Sequence, residues 1–130
     1  DGIRDDLVTG VQTCALPICA VGMGGIGQYF PSEEKEWKNA KSEIFLFEVK
    51  KILINNGFKI SNIDCTVILQ KPKINTYIKS IRNNISRILE LNKKYVSIKA
   101  TTTDYLGYIG DSKGWSVISI ATIIDENEHS

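Results

Sequence analysis

Between Gly57 and the Lys71-Pro72-Lys73 break, apolar side chains fall on an alternating register at Ile60, Ile63, Cys65, Val67 and Leu69. A run of that length and period is a strand with one face on a core. The segments beside it carry the other period. Phe45, Val49, Ile52 and Leu53 recur at helical spacing, in a helix that Ser42 can cap and that runs to about Asn56, where Gly57 stops it. A second helix is expected from about Asn75 to Leu91, with Ile78, Ile81, Ile85, Ile88 and Leu89 on one face. Tyr95 to Ala100 reads as a short strand. A brief helical turn follows near Tyr105, and Trp115 to Ile124 is a final strand rich in Ile and Val. The order helix, strand, helix, strand, strand predicts an α+β fold, with helices packed on one face of a small mixed β-sheet.

The chain has 130 residues, enough for one domain with a modest core. Hydrophobic residues make up 42% and charged residues 24%, as in ordinary soluble globular proteins. A net charge of +1 gives no reason to expect nucleic acid or a membrane surface as partner. Lys50, Lys51, Lys71, Lys73, Lys93 and Lys94 suggest a basic surface, but the near-neutral balance argues against one built for nucleic acid. Cys14, Cys19 and Cys65 are too few for a disulfide framework, and a reducing, cytoplasmic location is the simpler expectation. Cys14 and Cys19 are not followed by a second pair of the kind a zinc knuckle needs. Asn84-Ile85-Ser86 matches a glycosylation sequon, with nothing else pointing to secretion. The apolar run from Cys14 to Met23 holds Pro17 and is shorter than the roughly twenty residues of a membrane span. Asp5 and Asp6 precede it, where a signal peptide would be basic.

Residues 1–18 show no sustained period, and Val8 to Ile18 resembles a translated sequencing-adaptor peptide. They are expected to be a non-native, disordered scar, with 19–130 as a partial domain. Gly22-Met23-Gly24-Gly25-Ile26-Gly27 spells a G-x-G-x-x-G run, but Pro17 lies upstream and Pro31 follows at once. A dinucleotide fingerprint needs a strand before it and a helix after it, so the match is taken as accidental. Its glycines are expected to end a helix and allow a close turn. Ser32 to Lys41 reads as a charged surface loop with Trp37 as its anchor.

Lys99-Ala100-Thr101-Thr102-Thr103-Asp104 places three hydroxyls beside a carboxylate, directly after an apolar strand. Such a run suits phosphate and a divalent metal. It also suits a turn whose side chains satisfy its own backbone. The nearby Lys71-Pro72-Lys73 favours the phosphate reading. His129 is the only histidine, so an all-protein zinc site is hard to build. Asp64 is read as a strand-edge charge, Arg82 as a solvated helix face, and Trp37 and Trp115 as packing residues.

From Cys19 to about Ile124 the chain resembles the 2-C-methyl-D-erythritol 2,4-cyclodiphosphate synthases. The resemblance rests on Gly22-Met23-Gly24, Ile26-Gly27, Phe30-Pro31, Asn62-Ile63-Asp64, Gln70-Lys71-Pro72-Lys73, Arg82, the run from Lys99 to Asp104, and Leu106-Gly107-Tyr108. It implies a homotrimer with active sites at subunit boundaries. It also implies a reaction in which a phosphate on the substrate attacks the β-phosphate of a cytidine diphosphate ester, releasing CMP. The resemblance further implies that Leu69, Gln70, Lys71, Pro72, Lys73, Ile74 and Asn75, with Ala100 and Thr101, wrap the cytosine. Thr102 would act catalytically, hydrogen-bonding the phosphates as charge shifts, with Thr103 beside it in the substrate site. Asp104 stands at a family glutamate that holds magnesium or manganese, one methylene shorter, with room for an intervening water. Gly25, Ile26, Gly27, Phe30, Ser32 and Glu34 would face the methylerythritol phosphate or the ribose from a neighbouring subunit. Tyr108 and Asp111 belong to the same substrate-contacting set.

Four positions depart from the family pattern. Gly25 replaces an aspartate, Ser32 an acidic residue, Asp111 an arginine, and Lys113 an acid. The family's zinc is held by an aspartate-x-histidine pair and a further histidine, and a histidine-serine pair serves its phosphate site. None of these motifs occurs ahead of the matched segment, and the one histidine-serine pair, His129-Ser130, is terminal. The chain as written is therefore expected to lack cyclase turnover. The alternative is a non-catalytic trimeric protein that binds CMP-like nucleotides.

Overall fold

In a computed structural model, residues 22, 24, 26–31, 33–35, 42–71 and 73–128 are described. The expectations for residues 1–18, the Cys14/Cys19 pair, Trp37 and His129 lie outside the described residues. Gly22 and Gly24 both take positive φ, at 73° and 88°, the conformational freedom expected of them. They lead into a short helix, α1 (Ile26–Tyr29).

Helix α2 (Ser42–Asn55) forms where the helical period predicts it. Leu46, Val49 and Leu53 are its fully buried stripe, and Phe45 and Ile52 pack beside them. Glu43 places negative charge in its first turn, where the helix dipole favours it. Gly57, at φ 82°, ends it.

Strand β1 (Phe58–Ile68) is the centre of a three-stranded sheet. It pairs in parallel with β2 (Val96–Thr101) and antiparallel with β3 (Ser116–Asp125). The register shifts between Ile60 and Asn62: Ile60 faces Ile123, while Ile63 faces Ala121. Three steps on β1 thus match two on β3, which is a bulge. The extra residue brings Ile60 and Ile63, of opposite sequence parity, to the same core.

Between β1 and β2 the chain forms a 3-10 turn (Asn75–Tyr77) and α3 (Ile78–Leu89). Helix α3 buries Ile81, Ile85, Ile88 and Leu89. Glu90, at φ 52°, turns the chain away, and its N–H donates to the carbonyls of Ser86 and Arg87. Lys50 pairs with Glu90 at 2.8 Å, and the Asn84 side-chain amide donates to Glu43 at 2.8 Å, tying α2 to α3. A short helix, α4 (Gly107–Gly110), precedes β3.

The sheet thus has two unlike faces. Ile63, Cys65 and Val67, with Val96 and Ile98, lie buried among the helices. On the opposite face Ile118 and Ile120 of β3 are 57% and 64% exposed. The mixed sheet with helices on one face is the architecture expected from the sequence.

Two local readings need correction. Asp64 is not at a strand edge; it sits on the central strand and pairs with Lys99 across the open face. Arg82 is not simply solvated, because its Nε donates to the carbonyls of Lys93 (3.0 Å) and Val96 (2.8 Å). It thereby closes the turn from α3 into β2. Trp115, expected to pack in the core or at an interface, is 55% exposed in the single chain and so does not belong to its core.

Candidate nucleotide site

The parallel pairing of β1 with β2 brings two distant segments side by side. Their register runs to Ile68 opposite Thr101, and the Leu69 N–H donates to the Thr101 carbonyl at 3.0 Å. Both strands end at one edge, where ligand crevices of parallel sheets form. Beyond Leu69 the chain turns through Gln70, Lys71 and Lys73, and the buried Ile74 anchors its return. A cleft of about 260 Å³ opens here, lined by Leu69, Gln70, Lys73, Ile74, Asn75, Ala100, Thr101 and Thr102. Leu69 and Ile74 give it an apolar floor, while Lys73 is exposed at its margin.

The threonine run forms one wall of the site. The Leu106 N–H donates to the Thr103 carbonyl at 3.0 Å, closing a tight turn over Asp104 and Tyr105. Both central residues are left-handed, with φ 53° and 65°. For residues other than glycine that conformation costs about 1–3 kcal/mol each, so the surroundings must impose it. Four contacts do so. The Thr102 hydroxyl accepts from the Asp104 N–H at 3.2 Å. The same hydroxyl lies 3.4 Å from the Asp104 carboxylate, to which it donates. The Thr103 hydroxyl donates to the Leu106 carbonyl at 2.8 Å. The Tyr105 N–H donates to Gln70 Oε1 at 2.9 Å. The helical turn expected near Tyr105 is therefore this left-handed turn, and helix begins only at Gly107.

The threonine run thus forms the self-satisfying turn that the sequence allowed, and Thr101 and Thr102 also line the cleft. Thr103 is committed to the turn, while Thr102 lines the cleft beside an exposed carboxylate. A carboxylate with an adjacent hydroxyl fits magnesium or manganese, which bind through one or two carboxylates together with nucleotide phosphates and water. The described residues do not fit zinc: no three His, Cys, Asp or Glu side chains converge among them.

The other expected site residues are placed elsewhere. Lys71 is exposed beside the cleft without lining it. Phe30 is buried in the core, edge-on to Phe45 at 5.3 Å between ring centroids, so its ring does not face a ligand. Ile26 and Gly27 lie in α1, and the exposed Glu34 closes a turn onto the Pro31 carbonyl. Tyr108 is 63% exposed on α4, and Asp111, also exposed, follows that helix. None of these lines the cleft. Gly25, Ser32 and Pro72 lie outside the described residues. Gln70, expected only in the cytosine wall, also bonds the turn through its side chain. No pattern in the chain signals that bond.

A small mixed sheet, two covering helices and a polar-rimmed cleft at the ends of parallel strands define an α+β ligand-binding domain. The chain belongs to the YgbB family, whose profile matches residues 10–124. It is 43% identical over 101 residues to a 2-C-methyl-D-erythritol 2,4-cyclodiphosphate synthase of Francisella tularensis subsp. novicida, covering 78% of this chain and 64% of that one. It is 38% identical over 119 residues to the bifunctional enzyme IspD/IspF of Aliarcobacter butzleri, covering 92% of this chain and 31% of that one. This chain therefore spans less than two thirds of either relative. Among solved structures it resembles IspF of Plasmodium falciparum in its CDP complex. There the TM-score is 0.74 at 30% identity, over 98% of this chain and 72% of that one. Among the described residues, no helix is long and apolar enough to cross a membrane.

Proposed function

We propose that this chain carries the cytidine-diphosphate-binding part of a cyclodiphosphate synthase of isoprenoid biosynthesis, a phosphorus–oxygen lyase. The observation that carries the reading is the cleft at the β1 and β2 ends, lined by Thr102, whose hydroxyl lies 3.4 Å from the Asp104 carboxylate. Membership of the YgbB family and similarity to a synthase in complex with CDP support it. The substrate is 4-CDP-2-C-methyl-D-erythritol 2-phosphate. Its 2-phosphate oxygen bonds to the β-phosphorus, the bond from that phosphorus to the bridging oxygen breaks, and CMP leaves with the electron pair. The products are the 2,4-cyclodiphosphate and CMP.

Little covalent work falls to the protein in such a transfer, and positioning dominates. Leu69, Gln70, Lys73, Ile74, Asn75, Ala100 and Thr101 hold the cytosine, with Lys71 and Pro72 on the same loop. Thr102 turns its hydroxyl from the Asp104 carboxylate to donate to the phosphates, with Thr103 shaping the turn. Asp104 holds magnesium or manganese, which when bound neutralises phosphate charge. Gly25, Ile26, Gly27, Phe30, Ser32, Glu34, Tyr108 and Asp111 belong to the substrate contacts of an assembled trimer. For Phe30 that contact is through its backbone. Three copies bury the faces bearing Ile118 and Ile120 around a shared axis, in the cytoplasm.

A second reading, a non-catalytic trimeric CMP-binding protein, is favoured by Asp111, an acid where the family pattern has a phosphate-contacting arginine. Calorimetric titration with CDP, with and without magnesium, tests the binding site. Saturable binding of CDP, competed by CMP, is expected, and no binding would overturn both readings. Turnover of the cyclase substrate with zinc and magnesium then separates the two. The absence of those zinc motifs predicts none from the chain as given, and normal turnover would refute that expectation.

A further inference from the structure

We infer that Gln70 is a positioning residue which joins the base-binding wall to the phosphate-facing turn. The inference rests on the nucleotide reading of the cleft. Gln70 lies two residues beyond the end of β1 and is itself only 7% exposed. It lines the cleft, and its Oε1 accepts from the Tyr105 N–H at 2.9 Å. The two residues are 35 positions apart in sequence, and the bond ties the segment after β1 to the turn after the threonine run.

That bond falls on the most constrained point of the turn. Asp104 and Tyr105 are both left-handed without being glycine. The other three turn contacts join residues 102 to 106 to one another. They fix the turn's internal shape but not its place relative to the cleft. Gln70 supplies that placement. Its amide carbonyl draws the Tyr105 N–H inward, and the Asp104 carboxylate and Thr102 hydroxyl are thereby held at the rim. A buried acceptor whose donor is displaced is left unpaired, so the arrangement strongly favours one position.

The test compares wild-type chain with Gln70→Met, which keeps length and volume but removes the acceptor. Gln70→Glu keeps an acceptor oxygen. Amide hydrogen exchange at Tyr105 reads the bond directly. Protection is expected in wild type and in Gln70→Glu, with exchange about tenfold faster in Gln70→Met. Titration with cytidine and with CDP plus magnesium reads the consequence. In Gln70→Met affinity for CDP should fall about tenfold further than affinity for cytidine does. The glutamate variant is read only by exchange, because its charge alone would repel phosphate.

Unchanged Tyr105 exchange in Gln70→Met would overturn the inference. So would loss of protection with the CDP preference intact, or equal loss of cytidine and CDP affinity, which would mark Gln70 as base wall only. A wild-type chain that takes neither ligand would overturn the nucleotide reading, and this inference with it. A wild type that binds CDP while the methionine variant matches it would overturn this inference alone.

Discussion

The Ser119 hydroxyl donates to the Cys65 sulfur at 3.2 Å, across the seam between β3 and β1 and inside the core. The two residues are register partners, so the bond locks the antiparallel pairing at its middle. Sulfur is a weak acceptor, and the net contribution of such a bond is modest. Ser119→Ala should lower unfolding free energy by about 1 kcal/mol, read as an earlier urea midpoint at unchanged slope. A loss beyond about 3 kcal/mol would mean that the pair does more than hold register.

Leu46 should prove the more sensitive position. It is fully buried between α2 and the sheet, and truncation leaves a void that rigid neighbours cannot fill. Leu46→Ala is expected to destabilise by about 2–5 kcal/mol, whereas Phe47→Ala, half exposed on the same helix, should change stability by less than about 1 kcal/mol. Thermal unfolding of the two variants side by side checks the contrast.

Arg82 offers a different kind of test. Its guanidinium satisfies two carbonyls that would otherwise compete for water at the entry to β2. Arg82→Met should cost about 1–3 kcal/mol and raise amide exchange in Val96 to Ile98 before it affects α2. Uniform exchange across the chain would refute a local role.

The Asp64–Lys99 pair should contribute almost nothing to stability. Both side chains are about half exposed, at 44% and 52%. A double-mutant cycle with Asp64→Asn and Lys99→Met is expected to give a coupling energy under about 1 kcal/mol, falling further in salt.

The uncovered sheet face makes a prediction about assembly. Ile118→Lys and Ile120→Lys sit on exposed positions and should leave the secondary structure intact. Sedimentation velocity should show trimer for the parent and monomer for the double variant. A variant that remains trimeric would place the subunit contact elsewhere.

Much of the fold was legible because burial follows period. The alternation at Ile63, Cys65 and Val67 marks β1, and Ile81, Ile85 and Ile88 mark α3. Less legible was rotation about an element's axis. Phe45 was expected on the core stripe of α2, but Leu46 takes the deepest position. Of the site, the segments around Leu69 to Asn75 and Ala100 to Thr102 converge because β1 and β2 run parallel, which composition cannot state. The placement of Asp104 depends on a tandem left-handed turn and on Gln70, two features with no period and no spacing. Arg82 was misread for a related reason, since a cation on a helix surface gives no hint of the carbonyls folded back towards it.

Pairing of β1 with β3 sets a timetable for the growing polypeptide. Phe58 meets Asp125, and Ile68 meets Ser116, so the middle strand is synthesised long before its antiparallel partner exists. Parallel pairing with β2 comes first, and during that interval β1 carries one bare edge. A chain that had emerged from the ribosome only as far as Thr101 would hold a two-stranded, half-closed sheet, open to any other extended chain.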